Sequence, residues 1–202
     1  ARRIATTDLF FEVIHAPKFL PGALEAIRDG VKWGRSCRML EGGETGDQDT
    51  LPIEIRSVPG AMLLQTKDRS LQQREDFTVA SDRAPTDQEW QDLLFGWRVL
   101  PHVRSNGILL AHNRAVVGVG AGQPSRVDAV EIACRKAGDR CKSSSLASDA
   151  FFPFPDGVEA AIASGVTAVI QPGGSIRDGS VIEVANAAGI AMVFTGERHF
   201  RH

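Results

Sequence analysis

The residues of this chain best equipped to hold a ligand cluster in its loops. SDAFFPFPDG (Ser148 to Gly157) sets Phe151, Phe152 and Phe154 between two aspartates, on a backbone that Pro153 and Pro155 bar from a helix interior and a central strand. Such a stretch is either an aromatic anchor packed on a neighbouring lobe or subunit, the commoner use of clustered aromatics, or one wall of a pocket for a flat, partly apolar ligand. Asp156 beside that wall can accept paired hydrogen bonds from an amino-heterocycle. Arg126 heads a helix-like segment and suits an anion. The terminal Arg198 and Arg201 offer bidentate guanidinium groups to a phosphate monoester, with a frayed, solvated tail as the plainer reading. Asn106 is either a turn residue or an amide that orients a polar substrate.

Two glycine loops complete the inventory. GVGAGQPSR follows a strand-like run and opens a helix, so its backbone could approach a ligand phosphate; a tight strand-to-helix turn is an equal reading, because glycine's first use is conformational. The motif lacks the third glycine of a dinucleotide fingerprint, the lysine of a P-loop and an acidic ribose partner. In QPGGSIRD, Gly173 and Gly174 serve either a turn or a close approach to a ligand. No nucleophilic triad or pair of catalytic carboxylates emerges, and His15, His102, His112, His199 and His202 show no metal-ligand spacing. Any chemistry rests on binding and positioning, or on residues outside the chain.

Regular elements must hold these loops. Thr86 and Glu89 form a T-x-x-E capping box, followed by Trp90, Leu93, Leu94 and Trp97 at the spacing of one buried helix face. GILLAH and AVVGVG flank an Asn113-Arg114 turn, as in a hairpin. Ser125 caps a helix running through Lys136 and ending at Gly138. Leu146 to Ser148, Thr167 to Gln171 and Ile190 to Thr195 read as short buried strands, separated by helices over Gly157 to Ser164 and Gly179 to Ala188. This alternation predicts an α/β class, a layered, mostly parallel sheet with helices, whose ligands bind where loops leave the carboxyl ends of strands. Upstream, Leu9 to Ile14 reads as a strand, Pro21 to Arg28 as a helix, Glu41 to Pro52 as a loop and EIRSVPGAMLLQ as one or two strands. So few elements cannot easily close their own core.

The chain has 202 residues, 43% hydrophobic and 24% charged, with net charge -2, which fits one large or two small globular domains. That charge argues against a general nucleic-acid-binding surface. Cys37, Cys134 and Cys141 form neither a CxxC pair nor an even set, so a reducing, cytoplasmic home is expected. No apolar run approaches the ~20 residues of a membrane span, and the start lacks a signal-peptide pattern.

SNGILLAHNRAVVGVGAGQPSRVDA, SDAFFPFPDG, VIQPGGSIRD and AGIAMVFTGERHFRH, in this order, closely resemble the C-terminal part of the AICAR transformylase family, the formyltransferase portion of a bifunctional purine-biosynthesis enzyme that also carries IMP cyclohydrolase. FFEVIHAPKF, GAMLLQTKD and FTVASDRAPT resemble it more loosely. The resemblance implies a cytidine-deaminase-like lobe at 86–202, preceded at 1–85 by the end of another lobe and a connecting segment, with no metal. It implies formyl transfer from 10-formyltetrahydrofolate to aminoimidazole carboxamide ribotide (AICAR) at a site shared by two subunits of a homodimer. By the same carry-over Asn106 lies near the reacting amine. Arg126, Phe151, Arg198 and His202 contact the nucleotide, and Val127, Pro153, Phe154, Asp156, Pro172 and Gly173 contact the folate. The sequence differs from the family at Pro155, Pro124 and His112. It also lacks the K-H-x-N-P-C-G segment whose Lys-His pair handles the amine proton, so the chain alone is expected to be catalytically incomplete. A non-catalytic folate- or nucleotide-binding module is the alternative.

Overall fold

Ile108–His112 carries an apolar residue at each of its first four positions, so such a strand can be stable only when covered on both faces. In a computed structural model, which describes residues 1–6, 9–42, 53–66, 68 and 72–201, it lies inside a six-stranded sheet and Ile108, Leu109, Leu110 and Ala111 are fully buried. The chain forms two compact units, Ala1–Lys67 and Asp68–His202.

The first unit contains α1 (Arg2–Ala5), β1 (Val13–Ala16), α2 (Ala23–Arg28), β2 (Arg38–Glu41), β3 (Ile53–Val58) and β4 (Ala61–Thr66). β1 and β2 pair in parallel, and β3 and β4 form a hairpin. The expected strand at Leu9 starts only at Val13; Phe10 and Phe11 instead pack edge-on against Trp33. Most of the expected loop at 41–52 lies outside the described residues. Ile27 and Cys37 are the only buried hydrophobic side chains described in this unit, in keeping with too few elements to close a core.

The second unit is an α/β structure. Its strands are β5 (Thr78–Val79), β6 (Ile108–His112), β7 (Ala115–Gly120), β8 (Ser145–Ser148), β9 (Ala168–Gln171) and β10 (Ala191–Phe194), in spatial order β5-β10-β9-β8-β6-β7. The sheet is mixed rather than mostly parallel: β8, β9 and β10 pair in parallel, while β6 is antiparallel to both β7 and β8, and β5 to β10. The hairpin causes this difference, because its Asn113-Arg114 turn, with φ of 53° and 55°, brings the chain straight back. The unit starts upstream of residue 86 because β5 closes one edge of the sheet.

Helix α3 (Asp87–Val99) covers one face. Its capping box forms as expected, with the Glu89 N–H donating to Thr86 Oγ1 and the Thr86 N–H to Glu89 Oε2. Trp90, Leu93 and Trp97 pack on Leu109, Ala147, Ile170 and Val193. Helices α4 (Arg126–Ala137), α5 (Asp156–Ala163) and α6 (Asp178–Ala187) contribute to the core that packs on Ile108, Leu110, Leu146, Val169 and Met192. Alternate residues of β6, β8, β9 and β10 thus face opposite layers. Arg83 ties the edge to α3, its two terminal nitrogens donating to the Glu89 carboxylate at 2.8 Å each. Burial alone would push the Glu89 carboxyl up, but hydrogen bonds from Arg83, Thr86 and Thr167 more than offset it, lowering the pKa from 4.5 to about 2.

Two of the three glycines of GVGAG have a packing role. A Cβ on Gly118 or Gly120 would stand 2.2 or 1.9 Å from the carbonyl oxygens of Ala133 and Ala129 on α4, so the helix lies directly on β7. Among the described residues, no helix is long and apolar enough to cross a membrane.

Candidate functional site

Strand direction explains why distant residues meet. β7, β8, β9 and β10 all run the same way, so the loops that leave them emerge at one edge of the sheet. β6 runs the other way, which brings the residues just before it, Asn106 and Gly107, to that edge too. There a cavity of about 530 Å³ is lined by Asn106, Pro124, Ser125, Arg126, Val127, Ala150, Phe151, Pro153, Phe154, Asp156, Arg198 and Phe200. It draws on four separate segments of chain. Pro172 and Gly173 are buried and do not line it; their loop reaches the site through Arg177, whose guanidinium lies 4.5 Å from the centre of the Phe154 ring. His202 lies outside the described residues.

The three phenylalanines divide their work. Phe152 is 1% exposed and belongs to the core, and its N–H donates to the buried Gln171 side chain at 2.9 Å. Phe151 and Phe154 turn to the cavity instead. Arg198 stands 5.2 Å from the Phe151 ring centre, within cation–π range. Asp156 opens α5 and is exposed; its Oδ1 accepts from the Gly157 N–H at 2.7 Å.

Arg126 lines the cavity but is not a free anion-binding group. Its Nη1 donates to Asp149 Oδ1 at 2.6 Å and to Ser148 Oγ at 2.8 Å, and its Nη2 to Asn106 Oδ1 at 2.9 Å. The Asn106 Nδ2 donates to the carbonyls of Gln123 and Pro124 at 2.9 and 3.2 Å. Ser125 caps α4 by accepting from the Asp128 N–H, which sets Arg126 in the first turn.

The C-terminal segment is docked rather than frayed. The His199 N–H donates to the Asp149 carbonyl, and Ser105 and Arg201 exchange two hydrogen bonds. His199 itself is 2% exposed, with Nδ1 2.7 Å from Asp68 Oδ1 and its ring 4.3 Å from Trp97. Asp149 and His199 were not singled out from sequence as site residues. The sequence offers no signal that sets Asp149 apart from other loop aspartates, since its partners are brought to it only by the fold. Among the described residues, no three His, Cys, Asp or Glu side chains gather to hold a metal.

The arrangement therefore offers aromatic walls, a carboxylate at one side, a guanidinium over a ring and an amide held in one orientation. It can bind a partly apolar, planar molecule and align a second group beside it.

Comparison with known proteins adds to this geometry. A family model described as AICARFT/IMPCHase bienzyme matches residues 1–136. The chain is 47% identical over 203 residues to the bifunctional purine biosynthesis protein PurH of Anaeromyxobacter sp., covering 97% of the chain and 38% of that protein. It is 48% identical over 196 residues to PurH of Sorangium cellulosum, covering 96% of the chain and 37% of that protein. The chain thus spans well under half the length of these relatives. Among solved structures, RibD of Acinetobacter baumannii is similar over 54% of this chain and 34% of its own, at 20% identity and a TM-score of 0.36.

Proposed function

Because the chain belongs to the AICARFT/IMPCHase bienzyme family, we propose that it is part of an AICAR formyltransferase, moving a formyl group from 10-formyltetrahydrofolate to the amine of AICAR in IMP biosynthesis. The parent protein would also carry IMP cyclohydrolase. One observation carries the reading: the cavity at the sheet edge is lined by Asn106, Arg126, Phe151, Phe154, Asp156 and Arg198 together. On this reading Asp156 takes the amino-heterocycle head of the folate, with Val127, Pro153 and Phe154 as walls and the Pro172-Gly173 loop alongside. Phe151 stacks on the nucleotide, Arg198 and His202 take its phosphate, and no metal takes part.

The reaction is one of orientation. The aromatic amine is a weak nucleophile, so the site must hold its nitrogen against the formyl carbon, stabilise the oxyanion of the tetrahedral intermediate and take up the amine proton as the folate nitrogen leaves. Asn106 is the group of this chain closest to that chemistry. The Lys-His pair expected to move the proton has no counterpart in the sequence, so another part of the protein or a second subunit supplies it.

We place residues 86–202 in a cytidine-deaminase-like lobe whose sheet is completed by β5, and the residues before β5 as the end of the preceding lobe with its connection. A homodimer sharing the site in the cytoplasm completes the reading. It is supported by apolar side chains standing open on the flanking loops, Ile176 fully exposed and Phe154 and Phe200 about half exposed.

Calorimetric titration with AICAR and with a folate analogue tests this, using wild type, Asp156→Ala and Arg198→Ala. Folate binding should fall about tenfold or more with Asp156→Ala and nucleotide binding likewise with Arg198→Ala, each a loss of about 1.5–3 kcal/mol for a charged hydrogen bond. Losses that do not sort by ligand would sink the assignment.

A further inference from the structure

Asp149 touches each segment that supplies a polar group to the pocket, yet no ligand can reach its side chain, which is 1% exposed. Its Oδ1 accepts from Arg126 and its Oδ2 from the Gly107 N–H at 2.8 Å. Its own N–H donates to the Gly107 carbonyl, and its carbonyl accepts from the His199 N–H. We propose that Asp149 is the positioning residue of the site, fixing through Arg126 the direction in which the Asn106 amide faces its ligand.

The chain of cause starts with charge. The Arg126 side chain is 8% exposed, and a buried guanidinium without a counter-charge is costly; Asp149 supplies that charge and fixes the plane of the fork. Arginine can only donate, so the atom of Asn106 that faces it must be the amide oxygen. Both Asn106 Nδ2 protons are then taken by the carbonyls of Gln123 and Pro124. What the amide has left is a lone pair on Oδ1, so the group it meets must be a donor, such as an N–H of an aromatic amine. A second branch runs through the Asp149 carbonyl to His199, the neighbour of Arg198, and ties the guanidinium over Phe151 to the same anchor.

For the identity of the donor the assignment rests on the transformylase reading; for the positioning it rests on the hydrogen bonds alone. The test is therefore made first without ligand. Solvent exchange of the Asn106 Nδ2 protons is measured by NMR saturation transfer in the whole chain, for wild type, Asp149→Asn and Asp128→Asn, the last an exposed charge on the same helix turn as Arg126.

Loss of a charge-assisted anchor should speed exchange about tenfold or more in Asp149→Asn, leave it unchanged in Asp128→Asn, and leave the backbone amides of Leu110 and Val130 at their wild-type rates. Unchanged Asn106 exchange, or equal acceleration in the core, overturns the proposal. Should Asp149→Asn fail to unfold cooperatively, Arg126→Lys decides, since it keeps the charge opposite Asp149 but presents no second nitrogen to Asn106. Faster exchange there supports the relay and an unchanged rate overturns it. AICAR titration of the same proteins follows; absence of binding by wild type would count against the transformylase reading while the exchange rates still decide the role of Asp149.

Discussion

Replacing Glu89 with Gln keeps the shape of the side chain and removes its charge, while turning an N–H group toward the Arg83 fork. A carboxyl held at about 2 in the folded protein against 4.5 otherwise contributes about 3 kcal/mol once ionised in both states, at about 1.4 kcal/mol per tenfold change in proton affinity. Arg83 is 35% exposed, so water recovers part of this, and about 2 kcal/mol is expected near pH ~6. The sign follows from the lowered pKa: the stabilisation is complete above about pH 4.5 and is lost as the pH falls toward about 2. Near pH ~3.5 the unfolded chain is already mostly protonated and the gap between wild type and Glu89→Gln should narrow by up to about 1.4 kcal/mol. Urea unfolding of both proteins at the two pH values, followed by tryptophan fluorescence, measures it. A gap that is the same at both would show that the charge of Glu89 is not what holds α3 to the sheet edge.

Two further expectations concern residues away from that pair. Gly173→Ala should lower stability by about 2–4 kcal/mol, because φ is +70° and the added Cβ would stand 2.6 Å from Phe194 Cδ2; an unchanged urea midpoint would contradict that packing. The Cys141 thiol is pushed up to about 11, first by burial and then by the neighbouring Cys134. A thiol reagent near pH ~8 should therefore label Cys141 no faster than the protein opens, and rapid labelling of the folded chain would refute its burial.

The elements of the second unit could be read from sequence wherever a local device and a periodic pattern agreed. The Thr86-Glu89 box with Trp90, Leu93 and Trp97 defined a helix, and Asn113-Arg114 between two apolar runs defined a hairpin. The sheet's polarity could not be read this way, since a strand apolar at four successive positions, such as Ile108 to Ala111, is equally at home in parallel and antiparallel surroundings. Phe151, Phe154 and Asp156 were visible as pocket candidates because prolines left them no regular structure to join. Asp149 was hidden in the same decapeptide. Nothing local distinguishes a buried anchoring aspartate from a loop aspartate, and its partners Gly107, Arg126 and His199 are brought to it only by the closed sheet. The same holds for His199, whose partner Asp68 is 131 positions away.

The strand directions have one more consequence. The cavity-lining groups sit at one rim of the sheet, and the opposite rim is made of tight reversals, with positive φ at Asn113, Arg114, Ser143, Gly165 and Gly189, stitched by the chain's own hydrogen bonds, such as Ser143 N–H to the Gly165 carbonyl. The five residues of β6 separate the two rims by about 15 Å. A fluorophore or surface tether carried on the exposed side chain at Asn113 would thus hold the second unit by the rim opposite the pocket and leave the pocket's own loops untouched in immobilised binding measurements.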